Sequence, residues 1–155
     1  MRRLLSLLSH GFVFAAGFAL GIYMLPILMA EKAPSESQYQ ALPAESRMTA
    51  RFDPALKGSD FLHWGEGEVI VTPTQIAHKG RLAPGPDYKL YLVPDFVEDE
   101  AAFLAIKDKA ARIGDVKSYS GFILPVPAGV DVNAFTTVVI WCESFNEFIS
   151  AAKYR

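Results

Sequence analysis

Few residues of this chain could carry out chemistry, and the most distinctive of them is the single cysteine. Cys142 lies in the stretch VVIWCESF, from Val138 to Phe145. A free cysteine can be a small buried hydrophobic residue, a redox-active thiol or a ligand for a prosthetic group. Because the chain contains no second cysteine, an internal disulfide is excluded. An oxidised Cys142 would need a thiol partner or would become a sulfenic acid.

Two histidines in the C-terminal part of the chain are the next candidates. His63 stands beside Trp64 and could ligate haem or copper together with Cys142. The alternative is that His63 caps the start of a strand. His78 precedes Lys79-Gly80, a combination typical of a turn. The sequence contains no metal-binding motif, so a cofactor such as haem stays a hypothesis that rests on Cys142 and His63.

The reactivity of Cys142 depends on charged groups that the sequence alone cannot place. Glu143 follows it directly and would raise the pKa of the thiol. Lys117, His63 and Arg81 are the groups that could lower this pKa, provided that the fold brings one of them to the sulfur.

Motifs of several enzyme classes are missing from the chain. It contains no G-x-S-x-G, H-E-x-x-H or C-x-x-C, and without C-x-x-C-H a covalent haem attachment is excluded. Gly65-Glu66-Gly67 precedes a strand, whereas a dinucleotide-binding loop is followed by a helix, so a turn is the better interpretation. Ser120, His63 and Asp87 could form a hydrolytic set, but no spacing singles them out. No enzymatic reaction is therefore assigned.

The first 30 residues predict a membrane-spanning segment. They begin with Arg2 and Arg3, contain no acidic residue, and are almost wholly apolar from Leu4 to Ala30. A helix needs about 20 apolar residues to cross a bilayer, and the apolar core of a cleaved signal peptide is shorter. The end of the segment, Leu28-Met29-Ala30, also lacks the small-x-small pattern of a cleavage site. We therefore expect an uncleaved signal anchor rather than a cleaved signal peptide.

The charges that flank this segment predict its orientation. Arg2 and Arg3 should remain in the cytoplasm, while Glu31-Lys32 on the other side is neutral. The rest of the chain should then lie outside the inner membrane, in the periplasm if the source is Gram-negative. The whole chain has 15 basic and 17 acidic residues, and without the two N-terminal arginines the remainder is more acidic still. This balance argues against nucleic acid as a partner.

The remaining sequence divides into a linker and one domain. Residues 31–50 contain Pro34, Pro43, serines and glutamates without an apolar period, which predicts a tether with little structure of its own. Residues 51–155 contain short alternating segments between turn signals, which is typical of a β-sandwich or barrel. The expected strands are Glu68–Thr72, Tyr88–Val93, Gly121–Val126, Thr136–Glu143 and Phe145–Tyr154.

Alternation also predicts which side chains share a face. In the strand that ends near Glu143, Val138, Ile140 and Cys142 should face one way, and Val139 and Trp141 the other. From Glu98 to Gly114 the period changes to that of a helix, with acidic residues first and basic residues last. We therefore expect one short helix inserted between strands.

Several of these segments resemble the DM13 domain. They are HWGEGEVIV, APGPDYKLYL, IGDVKSYSGFILPVP and the C-terminal VDVNAFTTVVIWCESFNEFISAAKYR, and the resemblance covers roughly Phe52 to Arg155. DM13 domains occur in animal cell-surface proteins and in bacterial membrane proteins. The resemblance implies a proposed role in electron transfer through a cysteine that acts as a free thiol or helps to hold a group such as haem. Its counterpart here is Cys142.

The sequence thus predicts an all-β, sandwich- or barrel-like domain with one inserted helix, behind an N-terminal transmembrane helix. The expected function is that of a membrane-tethered, extracytoplasmic electron-transfer module that acts through Cys142 with an unidentified redox protein of the envelope. The alternative is a non-enzymatic binding or structural module of the envelope in which Cys142 is buried and inert.

Overall fold

The computed structural model describes all 155 residues, Met1 to Arg155. Its helices are α1 (Arg2–Leu28), α2 (Glu36–Gln40) and α3 (Glu100–Leu104). Its strands are β1 (Met48–Phe52), β2 (Gly65–Val71), β3 (Gln75–Leu82), β4 (Tyr88–Val93), β5 (Ala111–Val116), β6 (Phe122–Pro125), β7 (Thr137–Cys142) and β8 (Glu147–Lys153). Short 3-10 turns occupy Lys107–Lys109 and Val132–Ala134.

The eight strands form two antiparallel sheets of four. One sheet has the order β1-β2-β3-β6 and the other β5-β4-β7-β8. A cluster of 18 buried residues fills the space between the two sheets, with members from both. The prediction of an all-β, sandwich-like domain behind a long apolar helix is confirmed.

Side-chain alternation along β4 and β7 sorts residues between the interior and the outer face. Val138, Ile140 and Cys142 point into the core between the sheets, as predicted. Val139 and Trp141 belong to a second cluster on the outer face of the same sheet, where Phe103 of α3 packs against them. Cys142 therefore lies on the core side of a strand that is buried on both faces.

The segment predicted as an unstructured tether, residues 31–50, is in fact packed on the sandwich. It contains α2 and the first residues of β1. Tyr39 and Leu42 are buried against Ile70 and Ala77 on the outer face of the first sheet, and the Tyr39 hydroxyl donates a hydrogen bond of 2.8 Å to the His78 carbonyl. The apolar side chains of this segment are too widely spaced to give a period, which is why the sequence pattern did not reveal it.

The helix predicted from Glu98 to Gly114 is shorter than expected. Asp99 caps α3 by accepting a hydrogen bond of 2.8 Å from the Ala102 amide, and the helix ends at Leu104. The later part of the segment forms β5, which pairs with β4 and sends Ile113 into the core. Pairing satisfies the backbone groups along one edge of β4, which a helix would leave without partners.

The interpretation of His78 as a turn residue is wrong, because His78 is buried in the middle of β3. Its Nε2 donates a hydrogen bond of 2.9 Å to the Glu66 carbonyl, while its Nδ1 has no partner. Gly80 leaves the space for this arrangement, since a Cβ there would lie 2.7 Å from the His78 Nε2 and 2.0 Å from the Glu66 oxygen. The ring packs between Phe52 and Phe122, with centroids 5.1 and 5.3 Å away.

Helix α1 carries the apolar N-terminal segment. It is the one helix long and apolar enough to cross a membrane, and none of its residues is buried within the protein. Its side chains from Arg2 to Tyr23 are all exposed, whereas Met24, Pro26 and Ile27 near its end are partly covered.

The burial of His78 predicts a loss of stability in mild acid. Burial lowers the pKa of His78 from 6.5 to about 4, against the opposing effect of its hydrogen bond to Glu66. Between these values the unfolded chain binds a proton that the folded protein does not, so the free energy of unfolding should fall by about 3 kcal/mol as the pH drops through this window. Denaturant unfolding of the protein in detergent, at a series of pH values, measures this change.

The His78→Gln variant should lose this pH dependence, because a neutral amide replaces the imidazole. The control is Ile76→Val, a change in the same strand that should cost about 1 kcal/mol at every pH. A His78→Gln variant that keeps the wild-type slope between pH 6.5 and 4 would show that another group causes it.

Candidate functional site

Several connections meet at one end of the sandwich and enclose a cavity of about 200 Å³. They are the loop between β1 and β2, the loop between β3 and β4, and the turn between β7 and β8, together with the C-terminal part of α1. The strand register explains this grouping, because Tyr88 at the start of β4 lies opposite Cys142 at the end of β7. The lining residues are Ala19, Ile22, Tyr23, Pro26, Leu62, His63, Pro84, Gly85, Pro86, Tyr88, Cys142 and Phe145.

Cys142 forms the inner part of the cavity wall and is only 2% exposed. Burial raises the pKa of its thiol above the ordinary value, and the negative charge of Asp87 acts in the same direction. The backbone amides of Phe145, Asp87 and Ser144 have the opposite effect and lower this pKa, by less than burial raises it. The net shift of the pKa is upward, so the thiol is held in its neutral form more firmly than a free cysteine.

Asp87 fastens the two connections that flank Cys142 to each other. Its carbonyl accepts a hydrogen bond of 3.0 Å from the Glu143 amide, and its carboxylate accepts one of 2.9 Å from the Ser144 hydroxyl. The ammonium of Lys89 lies 2.6 Å from the same carboxylate and 3.1 Å from that of Asp115. These contacts hold the β3–β4 loop against the β7–β8 turn and fix the backbone around the sulfur.

Two tyrosines pack beside the cavity. Tyr88 is buried and lines it, and the ring of Tyr119 meets the Tyr88 ring edge-on at 5.9 Å. The Tyr119 hydroxyl donates to the Gly85 carbonyl. Gly85 must be a glycine for this packing, because a Cβ there would lie 2.4 Å from the Tyr88 hydroxyl.

His63 lies in the same cavity lining as Cys142, so the structure brings the two predicted site residues together. Its Nδ1 is 3.1 Å from a carboxylate oxygen of Asp60, and its amide donates a 2.8 Å hydrogen bond to the other oxygen. These bonds make His63 part of a turn that leads into β2. Whether His63 or Cys142 binds a ligand stays a prediction.

The charged groups near the sulfur differ from those considered from the sequence. Lys117 lies 3.7 Å from Glu31, and Arg81 lies 2.7 Å from Glu66, so both basic groups have acidic partners. Glu143 turns to the outer face of the sheet, where its carboxylate accepts a hydrogen bond from the Tyr91 hydroxyl. The acidic group that raises the pKa of the thiol is Asp87 instead.

The cavity holds no ready-made cluster of metal ligands. The cavity of about 200 Å³ is smaller than the 300–1,000 Å³ that is usual for pockets of drug-sized ligands. No group of three or more histidine, cysteine, aspartate or glutamate side chains is placed to hold a metal ion. Haem held by Cys142 and His63 alone needs no such cluster, so this ligand pair stays a prediction.

Helix α1 contributes one wall of the cavity through Ala19, Ile22, Tyr23 and Pro26. It is joined closely to the sandwich, because the Glu31 amide donates a hydrogen bond of 2.9 Å to the Lys117 carbonyl in the β5–β6 connection. No free tether thus separates the helix from the cavity end of the domain.

A comparison with known protein families identifies the domain. The profile described as "Electron transfer DM13" matches residues 57–154, which is more than half of the chain. The chain belongs to the DM13 family. No curated protein and no solved structure matches it.

The DM13 match includes β2 to β8 and both predicted site residues, Cys142 and His63. It leaves out α1, α2 and β1, so the wall that α1 adds to the cavity lies outside the matched region. The contributions of Tyr23 and Pro26 were missed in the sequence, because nothing in an apolar segment shows that its last turns contact the domain. The Gly85-Pro86-Asp87 motif was visible as part of a DM13-like segment, but nothing in the sequence showed that it lies beside Cys142.

The burial of Cys142 predicts slow thiol chemistry in the native DM13 domain. Alkylation of the folded protein in detergent should be slower by orders of magnitude than that of the unfolded chain, since the reagent must wait for an opening of the structure. The rate should rise with pH through a midpoint above the value of about 8.5 for a free thiol. Timed alkylation with iodoacetamide, read by mass spectrometry with a urea-unfolded control, tests both. Equal native and unfolded rates at neutral pH would contradict the buried setting.

Proposed function

We propose that this protein is a single-pass protein of the inner membrane, with α1 as an uncleaved anchor. The N-terminus lies in the cytoplasm, and the DM13 domain lies outside, in the periplasm of a Gram-negative source. Arg2 and Arg3 before the apolar stretch support this orientation, because positive charges stay on the cytoplasmic side. The length and composition of α1 support the anchor.

Fusion reporters test the orientation. Alkaline phosphatase fused after Arg155 should be active, because this enzyme folds only outside the cytoplasm. Green fluorescent protein fused at the same position should be dark, because it does not become fluorescent when it is exported by the same route. A fluorescent fusion together with an inactive phosphatase would place the domain in the cytoplasm and contradict the proposal.

The domain serves electron transfer, and Cys142 is its working group. The single observation that carries this proposal is the place of Cys142, which is the only thiol of a domain from an electron-transfer family and lines a cavity at the end of the sandwich. The backbone amides of Phe145, Asp87 and Ser144 favour the thiolate by lowering the pKa of the thiol, against the larger effect of burial.

The chemistry open to a single thiol is exchange with a disulfide. The Cys142 thiolate attacks one sulfur of a disulfide in a redox protein of the envelope, a new S–S bond forms, and the partner's other sulfur leaves as a thiolate. A thiolate of a second, dithiol protein then attacks the Cys142 sulfur and releases the first partner as a dithiol. The remaining thiolate of the second protein closes a disulfide and frees the Cys142 thiolate, so two electrons pass from the dithiol protein to the original disulfide. Since Cys142 is 2% exposed, the rate of this exchange depends on access through the cavity.

The alternative is a non-enzymatic binding or structural module of the envelope in which Cys142 is an inert core residue. The same burial and the raised pKa of the thiol favour this alternative. The two functions differ in one respect that can be measured, namely whether Cys142 changes its oxidation state in the living cell.

The redox state of Cys142 can be trapped by differential alkylation. Cells are quenched in acid, free thiols are blocked with one reagent in denaturant, and reversibly oxidised thiols are then reduced and labelled with a second reagent. If the protein transfers electrons, a fraction of its molecules should carry the second label on Cys142. This fraction should increase after a pulse of diamide and decrease during recovery.

The control is the same protein with Cys142→Ala, which should give neither label. If Cys142 carries only the first label under every condition, the electron-transfer proposal fails and the structural alternative stands.

A further inference from the structure

Large apolar side chains are exposed around the mouth of the cavity. Phe61 is 86% exposed, Leu62 is 45% exposed and Phe145 is 57% exposed. Leu62 and Phe145 are themselves cavity-lining residues, and Phe61 precedes Leu62 in the same loop. Single exposed apolar residues are common on protein surfaces, but these three are grouped at one end of the domain.

The exposure of Phe61 is imposed by the hydrogen bonds of its loop. One carboxylate oxygen of Asp60 accepts bonds of 2.7 and 2.8 Å from the amides of Leu62 and His63, and the other lies 3.1 Å from the His63 ring. The Asp60 amide in turn donates a bond of 2.9 Å to the His63 carbonyl. This turn fixes the backbone on both sides of Phe61 and leaves its ring outside.

The length of α1 places this end of the domain close to a bilayer. With a rise of 1.5 Å per residue, its 27 residues span about 40 Å, against about 30 Å for the hydrocarbon core of a bilayer. From Arg2 to Ala19, the first residue in the cavity wall, the helix spans only about 26 Å, so the cavity wall begins near the outer boundary of the hydrocarbon core. Because Glu31 is already bonded to Lys117, the domain cannot move away from the end of the helix without breaking this contact.

We propose that the cavity end of the sandwich rests on the outer leaflet of the membrane, with Phe61, Leu62 and Phe145 in the interfacial region of the lipid. This inference rests on the anchoring of α1 that is proposed above and not on the redox role of Cys142. Lipid is the partner expected to cover these three side chains, because the cavity beside them is lined by α1, the helix that enters the bilayer.

Docking in this position determines how reactants reach Cys142. The cavity opens beside α1, at the boundary between the bilayer and water, so a reaction partner has to approach along the membrane surface. The opposite end of the sandwich carries Phe96, which follows the far end of β4 and is 44% exposed. Phe96 supplies a matched control, since it is the same residue type and is distant from α1.

Fluorescence quenching by labelled lipids tests the docking. The full chain, in a Cys142→Ala background, receives one cysteine at Phe61, Phe145, Phe96 or Ala16 and is labelled there with the environment-sensitive dye NBD. The proteins are placed in vesicles of phosphatidylethanolamine and phosphatidylglycerol that contain lipids with a nitroxide quencher near the headgroup or in the acyl chain. Phe61 is so exposed that its replacement removes little packing, and Phe145 is an independent second site.

The expected result is that NBD at positions 61 and 145 loses most of its fluorescence with the headgroup-proximal quencher, while NBD at position 96 keeps it. NBD at Ala16, in the middle of α1, should be quenched from the acyl chains. Unquenched labels at 61 and 145 beside a quenched label at 16 would overturn the docking and leave the anchor standing. An unquenched label at 16 would overturn both.

Two further outcomes would also overturn the docking. Equal quenching at 96 and 61 would show that the cavity end is not the face that meets the lipid. A label at 61 that is blue-shifted but unquenched would show cover by protein, a second copy of this chain included.

Discussion

The pairing of β4 with β7 is the constraint on which the rest of the structure depends. These central strands are bonded over their full length, from Tyr88 opposite Cys142 to Val93 opposite Thr137. This register places the sulfur on the core side and at the end of the sheet, beside the loops that form the cavity. A shift by one residue would turn Cys142 to the outer face and Trp141 into the core. The position of the thiol is therefore set by the ladder rather than by its own contacts.

If α1 spans a membrane as proposed, its closeness to the sandwich brings the domain next to the bilayer. Segment 31–50 packs along the first sheet instead of forming a tether, and Glu31 is bonded to Lys117 at the cavity end. A domain on a free linker could present any face to the bilayer, whereas this one is held by the end from which its helix emerges. In the proposed arrangement, the thiol cavity, the exposed apolar side chains and the bilayer surface thus share one location.

Local patterns predicted the strands around Cys142 and failed for several other strands. The strand Tyr88–Val93 was predicted with its observed bounds, and alternation placed Cys142 on the core side, because both signals depend on near neighbours in sequence. The strand Gln75–Leu82 gives no alternating signal, because His78 is polar and yet buried within it. The strand Ala111–Val116 fits a helical pattern, because the apolar residues of this edge strand and of the preceding segment recur with a period near 3.6. The contact of Tyr23 with the domain depends on packing between distant segments, which no local pattern reports.

The central claim is that α1 and the DM13 domain form the cavity of Cys142 together, and photo-crosslinking tests it most directly. A photoreactive amino acid in place of Ile22, in the full chain in membranes, should crosslink within the same chain to the cavity loops, and mass spectrometry should find it on the peptides that contain Pro84 to Tyr88 or Phe145. Crosslinks to lipid alone, or to the opposite end of the domain, would contradict the account.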